Sequence, residues 1–266
     1  MRLSIITINF NNLQGLIKTV NSVLHQNSND FEYIIIDGGS TDGSAEYIYD
    51  NKKYFTFSIS EPDKGIYNAM NKGINNATGE YLLFLNSGDI FFDNDILKHV
   101  SLVNFSEDIV FGNLLKRNGN FDILDIGFAK NEISFGDIYK GTINHPSSFI
   151  KRDLFSRIGL YDENLRIVSD WKFFFEAIVF FDVRVKYLNQ TITIFDLGGI
   201  SNTQYLLREK EREQVLNDLF PSKVLKELKT FFEFEIDIIK LKKIKRISIL
   251  NQVYRFLCKI SKFYKY

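Results

Sequence analysis

The chain has 266 residues, 33 Lys and Arg balanced by 33 Asp and Glu, 45% hydrophobic residues and one cysteine, the scale of one large domain or of a domain with an appendage. A lone Cys258 excludes an internal disulfide framework, and a net charge of zero leaves no global field to attract nucleic acid. No segment carries the roughly 18 or more apolar residues of a membrane span, and Met1-Arg2-Leu3 runs into a strand-like segment without a signal-peptide pattern; the expected location is cytoplasmic.

Charge is uneven along the chain. From Pro221 to Tyr266, ten Lys and two Arg face Glu227, Glu233, Glu235 and Asp237, a net of +8, which leaves −8 on residues 1–220. An acidic body over 1–220 followed by a basic tail over 221–266 is the expected organisation.

Leu3 to Phe10 is short, apolar and β-branched, as suits a strand buried on both faces. Asn11 and Asn12 can cap a helix whose face is Leu16, Ile17, Val20, Val23 and Leu24, ending near His25. Tyr33 to Asp37 reads as a second strand, and Ser40-Thr41-Asp42-Gly43 as a helix start. A third strand is expected over Phe55 to Ser60, then a helix with Ile66, Ala69, Met70, Gly73, Ile74 and Ala77 on one face, terminated by Gly79. Tyr81 to Leu85 is the most hydrophobic strand, stopping at Asn86-Ser-Gly-Asp89. This alternation predicts an α/β fold with a mostly parallel sheet and right-handed crossovers. Ligands of such sheets bind beyond the carboxyl ends of the strands, where Thr7, Asp37, Glu61-Pro-Asp63 and Asp89 fall.

After about residue 105 the alternation gives way to a mixed half. Ile109 to Phe111 reads as a strand, and Asn118-Gly119 as a hairpin turn between Leu114-Leu115 and Phe121 to Leu124. Ser169 can cap a helix running through Phe181, followed by strands over Val183 to Leu188 and Thr191 to Phe195.

Five motifs occur in order: Ser4-Ile-Ile-Thr-Ile-Asn-Phe-Asn11, Ile36-Asp-Gly-Gly-Ser-Thr-Asp-Gly43, Asp63-Lys-Gly-Ile-Tyr-Asn-Ala-Met-Asn-Lys-Gly73, Gly79-Glu-Tyr-Leu-Leu-Phe-Leu-Asn-Ser-Gly-Asp89 and Ser169-Asp-Trp171. Together, over most of residues 3 to 200, they resemble the family 2 glycosyltransferases. The resemblance implies a GT-A fold, with residues 1–105 as the nucleotide-sugar half and 106–220 as the acceptor and catalytic half. It implies an inverting transfer from a nucleoside-diphosphate sugar, UDP-linked by preference, to a glycan or lipid-linked hydroxyl in bacterial surface-polysaccharide synthesis. A divalent cation, Mn²⁺ or Mg²⁺, is implied as cofactor.

Residue by residue, the resemblance places Thr7 and Asp37 beside the base, although Thr7 also reads as an ordinary strand residue. A carboxylate ending an apolar strand is costly unless donors meet it, and a base edge can supply them; capping the next helix is the alternative for Asp37. Asp63 and Lys64 precede a helix start that suits phosphate, or form an exposed turn. Asp89 is the metal candidate, preceded by Asn86 and Gly88, nucleotide-binding candidates that stand where the family pattern Asp-x-Asp-Asp carries acids. A hard cation takes one or two carboxylates together with phosphate oxygens, so one acid is compatible with the role; an Asp in a turn is the other reading. Asp170 is the candidate base, or a first-turn acid stabilised by the helix dipole. His145, Trp171 and Ser201 are acceptor-side or loop candidates, with a structural histidine and a plain Gly198-Gly199 turn as alternatives.

His25, His99 and His145 match no zinc spacing, and no dinucleotide or Walker loop occurs. In the tail, Phe231, Phe232, Ile236, Ile239, Leu241 and further apolar positions to Phe263 alternate with lysines. Such a pattern suits an amphipathic helix on an anionic membrane, at the inner face of the cell membrane, or one packed on protein. A nucleotidyltransferase is the nearest enzyme rival, without its Gly-rich loop. Asn86 and Gly88 motivate a second rival, a catalytically silent sugar-nucleotide-binding or scaffold protein.

Overall fold

The computed structural model describes residues 3–103, 105–118, 121–197 and 204–245. Its first half is the expected alternation: β1 (Leu3–Asn9), α1 (Leu13–Leu24), β2 (Phe31–Asp37), α2 (Ser44–Asp50), β3 (Phe57–Ser60), α3 (Ile66–Asn76) and β4 (Tyr81–Phe84). These four strands lie in the order β3-β2-β1-β4, all parallel. Every residue of β1 and β4 is buried, which explains runs that are apolar without alternation. The register sets Asn9 opposite Asp37 and Asp37 opposite Ser60, so three polar residues meet at the carboxyl ends.

Local signals account for most boundaries. Asn12 caps α1, its Oδ1 accepting from the Gly15 amide at 3.1 Å. Leu16, Val20 and Val23 turn inward on Ile5, Ile35 and Leu83. Gly79 does not terminate α3. The helix ends at Asn76 with Ala77 in extended conformation, and Gly79 serves close packing: a Cβ there would lie 2.4 Å from Ser4 Oγ and 2.7 Å from Ser4 N. The buried Glu32 carboxylate accepts from Gly79 N at 2.8 Å, Thr78 Oγ1 at 2.9 Å and the Ser4 hydroxyl, tying this turn to the start of the sheet.

The second half adds β5 (Ile90–Phe91), α4 (Ile96–Leu102), β6 (Ile109–Asn118), β7 (Phe121–Asp125), α5 (Phe135–Lys140), β8 (Ser148–Lys151), α6 (Leu154–Arg157), α7 (Ser169–Phe180) and β9 (Val185–Asp196). The sheet continues β4-β8-β6-β9-β5, with β7 paired to β6, into nine strands of mixed direction among the described residues. The hairpin of β6 and β7 forms as expected; of its turn, Gly119 lies outside the described residues. The two strands expected over 183–195 are one, β9, because register shifts against β6 near Asn113 absorb the Asn189-Gln190 interruption. Ser169 is not the cap of α7 but its first residue, and its hydroxyl accepts from the Asp162 amide at 2.6 Å. The short α5 escaped prediction although Ser134 and Asp137 form a reciprocal capping box.

Residues 1–212 form one compact unit, and a second begins at Glu213. Helix α8 (Tyr205–Leu219) runs through this division, and α9 (Ser222–Lys245) belongs to the second unit, with Phe231 and Phe234 exposed and Leu225 and Phe232 buried. Cys258 and the tail beyond Lys245 lie outside the described residues. No helix among the described residues is long and apolar enough to cross a membrane.

Candidate active site

Three groups of polar residues gather along the carboxyl edge of the sheet. The first centres on Asp37, wholly buried at the end of β2. Its Oδ1 accepts from Asn9 Nδ2 at 2.7 Å and Ser40 Oγ at 2.6 Å, and its Oδ2 from Ser40 N at 2.9 Å and Ser60 Oγ at 2.6 Å. Burial works to raise the carboxyl pKa, but these donors outweigh it and hold the group below its ordinary value. The donors that a buried carboxylate requires thus come from the protein itself, and all four acceptor positions are filled. Asn9 Oδ1, by contrast, is buried without a hydrogen-bond partner among the described residues.

Around this carboxylate, Asp63 leans over the turn, so that a Cβ on Gly38 would meet Asp63 Oδ2 at 2.5 Å. Asp63 Oδ1 accepts from Gly65 N at 2.8 Å, and the exposed Lys64 stands beside it at the start of α3. Thr7 is placed deeper than expected. It is fully buried, donating to Leu85 O at 2.7 Å and lying 3.1 Å from the Tyr33 hydroxyl.

The second group is the loop after β4. Thr19 of α1 holds it, donating to Asp89 O at 2.7 Å and accepting from Gly88 N at 2.9 Å, while Asn12 Nδ2 donates to Ser87 O at 3.2 Å. Gly88 has φ +108, a conformation that L side chains rarely adopt. A Cβ there would lie 3.4 Å from the Asp196 Cβ and 3.5 Å from Asp196 Oδ2. The absent acid at 88 therefore has a physical reason, and Asp196, at the end of β9, brings a second carboxylate to the same place. Its amide donates to Asp89 Oδ1 at 3.1 Å. Asp89 is buried, and burial, with the Asp196 charge adding to it, pushes its carboxyl up to about 8. Asn86 Oδ1 is buried without a partner among the described residues. Two carboxylates and an orphaned amide oxygen are hard donors that suit Mg²⁺ or Mn²⁺ rather than a thiophilic ion. Among the described residues, no group of three or more His, Cys, Asp or Glu is placed to hold a metal.

The third group surrounds Asp170, half-buried in the first turn of α7. Tyr67 Oη lies 2.8 Å from Asp170 Oδ1 and 2.6 Å from Ile167 O. Burial raises the Tyr67 pKa well above the ordinary value, and the Asp170 charge adds to the rise, so the phenol keeps its proton and donates. His145, also buried, pairs Nε2 with the Tyr161 hydroxyl at 2.8 Å and stacks on Phe84. Burial lowers its pKa, with the Asp170 charge acting the other way. His145 is thus a satisfied core histidine beneath Asp170. Trp171 faces inward too, donating to Ile138 O at 2.9 Å with Arg212 stacked 4.2 Å from its ring centroid. Both anchor the site rather than line an open surface. Ser201 and Gly198-Gly199 lie outside the described residues.

Short segments join the groups. Asn11 N donates to Ser40 Oγ at 2.7 Å while the adjacent Asn12 reaches Ser87 O, bridging the Asp37 and Asp89 groups. Asp63 and Tyr67 bracket the first turn of α3, linking the Asp37 and Asp170 groups. The sequence by itself does not single out Asp196 or Tyr67. Tyr67 lies inside the Asp63 to Gly73 motif, whereas nothing local marks Asp196.

The family model for "Glycosyl transferase family 2" matches residues 4–157. A PGL/p-HBAD biosynthesis glycosyltransferase of Mycobacterium bovis is 30% identical over 191 residues, covering 69% of this chain and 73% of that one. Staphylococcus aureus TarS 1-349, solved in complex with UDP-GlcNAc, superposes with a TM-score of 0.62 at 19% identity over 74% of this chain and 58% of that one. The mannosyltransferase PcManGT of Pyrobaculum calidifontis, in complex with GDP-Man and Mn²⁺, gives 0.60 at 15% identity over 77% and 60%. The chain thus spans less than two thirds of the length of these solved neighbours, and the likeness to them establishes the fold.

Proposed function

As a member of glycosyltransferase family 2 with the GT-A fold, the chain is an enzyme that we propose transfers a hexosyl or N-acetylhexosaminyl group with inversion from a nucleoside-diphosphate sugar. A UDP-sugar is the favoured donor, and a hydroxyl of a glycan or lipid-linked glycan of the bacterial surface the acceptor.

The observation that carries this reading is Asp170, a half-buried carboxylate whose one hydrogen-bond donor among the described residues is a phenol that keeps its own proton. In the reaction, the acceptor oxygen attacks the anomeric carbon, the bond from that carbon to the diphosphate breaks, and Asp170 takes the acceptor's proton. One base suffices, because inversion needs no covalent sugar intermediate. Once protonated, Asp170 can donate to Tyr67 Oη while the phenol proton turns wholly to Ile167 O, so the same neighbours serve both states.

Asp89 and Asp196 would hold a divalent cation, Mn²⁺ or Mg²⁺, which when bound neutralises charge on the departing diphosphate; Asn86 and the turn at Gly88 shape that site. Asp37 acts by fixing the turn from Gly38 to Ser40 under the base. Asp63 and Lys64 border the nucleotide, Lys64 as a point charge for phosphate, and Thr7 supports this region from within the sheet. The domain division is proposed at residues 1–220 and 221–266, with the basic tail adding affinity for an anionic membrane face at the cytoplasmic side.

The test begins with a thermal-shift panel of UDP- and GDP-sugars in Mn²⁺, followed by turnover of the stabilising donor in the wild type and Asp170→Asn. Loss of about 10²–10⁴-fold in kcat with donor affinity retained is expected. Retained kcat in a chemistry-limited assay would move the base elsewhere, and joint collapse of binding and melting temperature would make Asp170 structural.

A further inference from the structure

We propose that Glu211 positions the Asp170 carboxylate from outside the site, acting through the main chain of residues 166–168 and the hydroxyl of Tyr67. The inference rests on the reading of Asp170 as the base.

Glu211 lies on α8 and is only 6% exposed. A buried carboxylate is costly unless hydrogen bonds replace its water, and among the described residues no Lys or Arg pairs with this one. Instead it accepts from three successive amides, Arg166 N at 2.8 Å, Ile167 N at 2.9 Å and Val168 N at 3.3 Å. These residues immediately precede α7, which carries Asp170 in its first turn.

The connection to Asp170 runs through one peptide plane. The Val168 amide and the Ile167 carbonyl belong to the same rigid trans unit, pointing in opposite directions. Glu211 holds the amide side. Tyr67 Oη, 2.6 Å from the carbonyl on the other side, also lies 2.8 Å from Asp170 Oδ1. A phenol has one proton, so the position of the Ile167 carbonyl decides how that proton is shared with Asp170. Releasing the amide side lets the plane rotate and the phenol drift from the carboxylate. The next residue tightens the grip: Arg212 stacks on Trp171 and donates to Tyr139 O at 2.7 Å, fixing the residue that follows Asp170.

The experiment reads the Asp170 side chain directly, by its carboxyl ¹³C resonance in protein labelled at Asp and assigned by its loss in Asp170→Asn. Tyr67→Phe sets the resonance position without the phenol donor. Glu211→Gln is expected to move the signal toward that position, with folding checked by melting; Glu211→Asp, which keeps the charge one methylene short, replaces it should the amide variant not fold. An unmoved signal in the Glu211 variants, or none moved by Tyr67→Phe, overturns the proposal. With UDP-GlcNAc and GDP-mannose as donors in Mn²⁺, Glu211→Gln should lower kcat about 10–100-fold at unchanged donor KM. Combined with Asp170→Asn, it should cost nothing further. Additive losses overturn the positioning role, whereas full activity of Asp170→Asn alone rejects the base reading and leaves the resonance to judge the clamp.

Discussion

Asp37→Asn tests whether a wholly buried carboxylate at a strand end is held by the protein's own donors. The shape is kept and the charge removed. If the new amide nitrogen takes the place of Oδ2, it faces Ser40 N, 2.9 Å from that oxygen, and a backbone N–H cannot turn away. If it takes the place of Oδ1, it faces Asn9 Nδ2, and Asn9 can flip to present its partnerless Oδ1. The second arrangement is therefore the one adopted. The loss then comes from turning four charge-assisted hydrogen bonds into neutral ones, about 1 kcal/mol each. That sum of about 4 kcal/mol is an upper bound, because the variant no longer buries a charge. The pH dependence follows from the lowered pKa of the native carboxylate. Its contribution is present above the unfolded value of about 3.9 and is lost as pH falls through the folded value, so the gap between wild type and variant should close in acid. Urea denaturation of both proteins between pH 7 and pH 3 measures it. Equal stability at pH 7, or a gap that persists unchanged at pH 3, would refute the hydrogen-bond reasoning.

Asp89→Ala should abolish Mn²⁺-dependent nucleotide affinity in calorimetry, and Asp196→Ala should weaken it by at least the about 10–100-fold that loss of an outer-shell partner costs; unchanged isotherms would remove either residue from the cation site. Gly88→Ala places a side chain at φ +108 and should destabilise by about 1–3 kcal/mol in chemical denaturation, an outcome that a variant of native stability contradicts. Gly79→Ala should cost a similar amount, about 1–3 kcal/mol, because its Cβ would fall 2.4 Å from Ser4 Oγ; a native urea midpoint would show that the turn gives way freely. Co-sedimentation with anionic liposomes should fall on deleting residues 221–266 or on raising salt, each basic residue near the surface contributing about 1 kcal/mol, and equal sedimentation of folded full-length and truncated protein would favour a packing role for the tail.

What the residues determine alone is what local periodicity and chemistry can report. The largely apolar, β-branched stretches of β1 and β2 and the apolar run of β4, separated by amphipathic α1 and α3, announce a parallel sheet because each element's burial pattern is written in its own neighbours. The abrupt polar stop after β4 likewise announces the carboxyl edge of the sheet at Asp89. Tertiary structure alone decided who meets whom there. Asp196 reaches Asp89 across 107 positions and Tyr67 reaches Asp170 across 103, pairings created by the order in which strands and helices assemble and invisible to any local window. It also decided which polar residues remain open to a ligand. Asp37, Thr7 and His145 carry chemistry in their side chains, yet each is buried among partners from distant segments. A buried polar group must find its hydrogen bonds wherever the fold supplies them, and the chain's order does not record where that is.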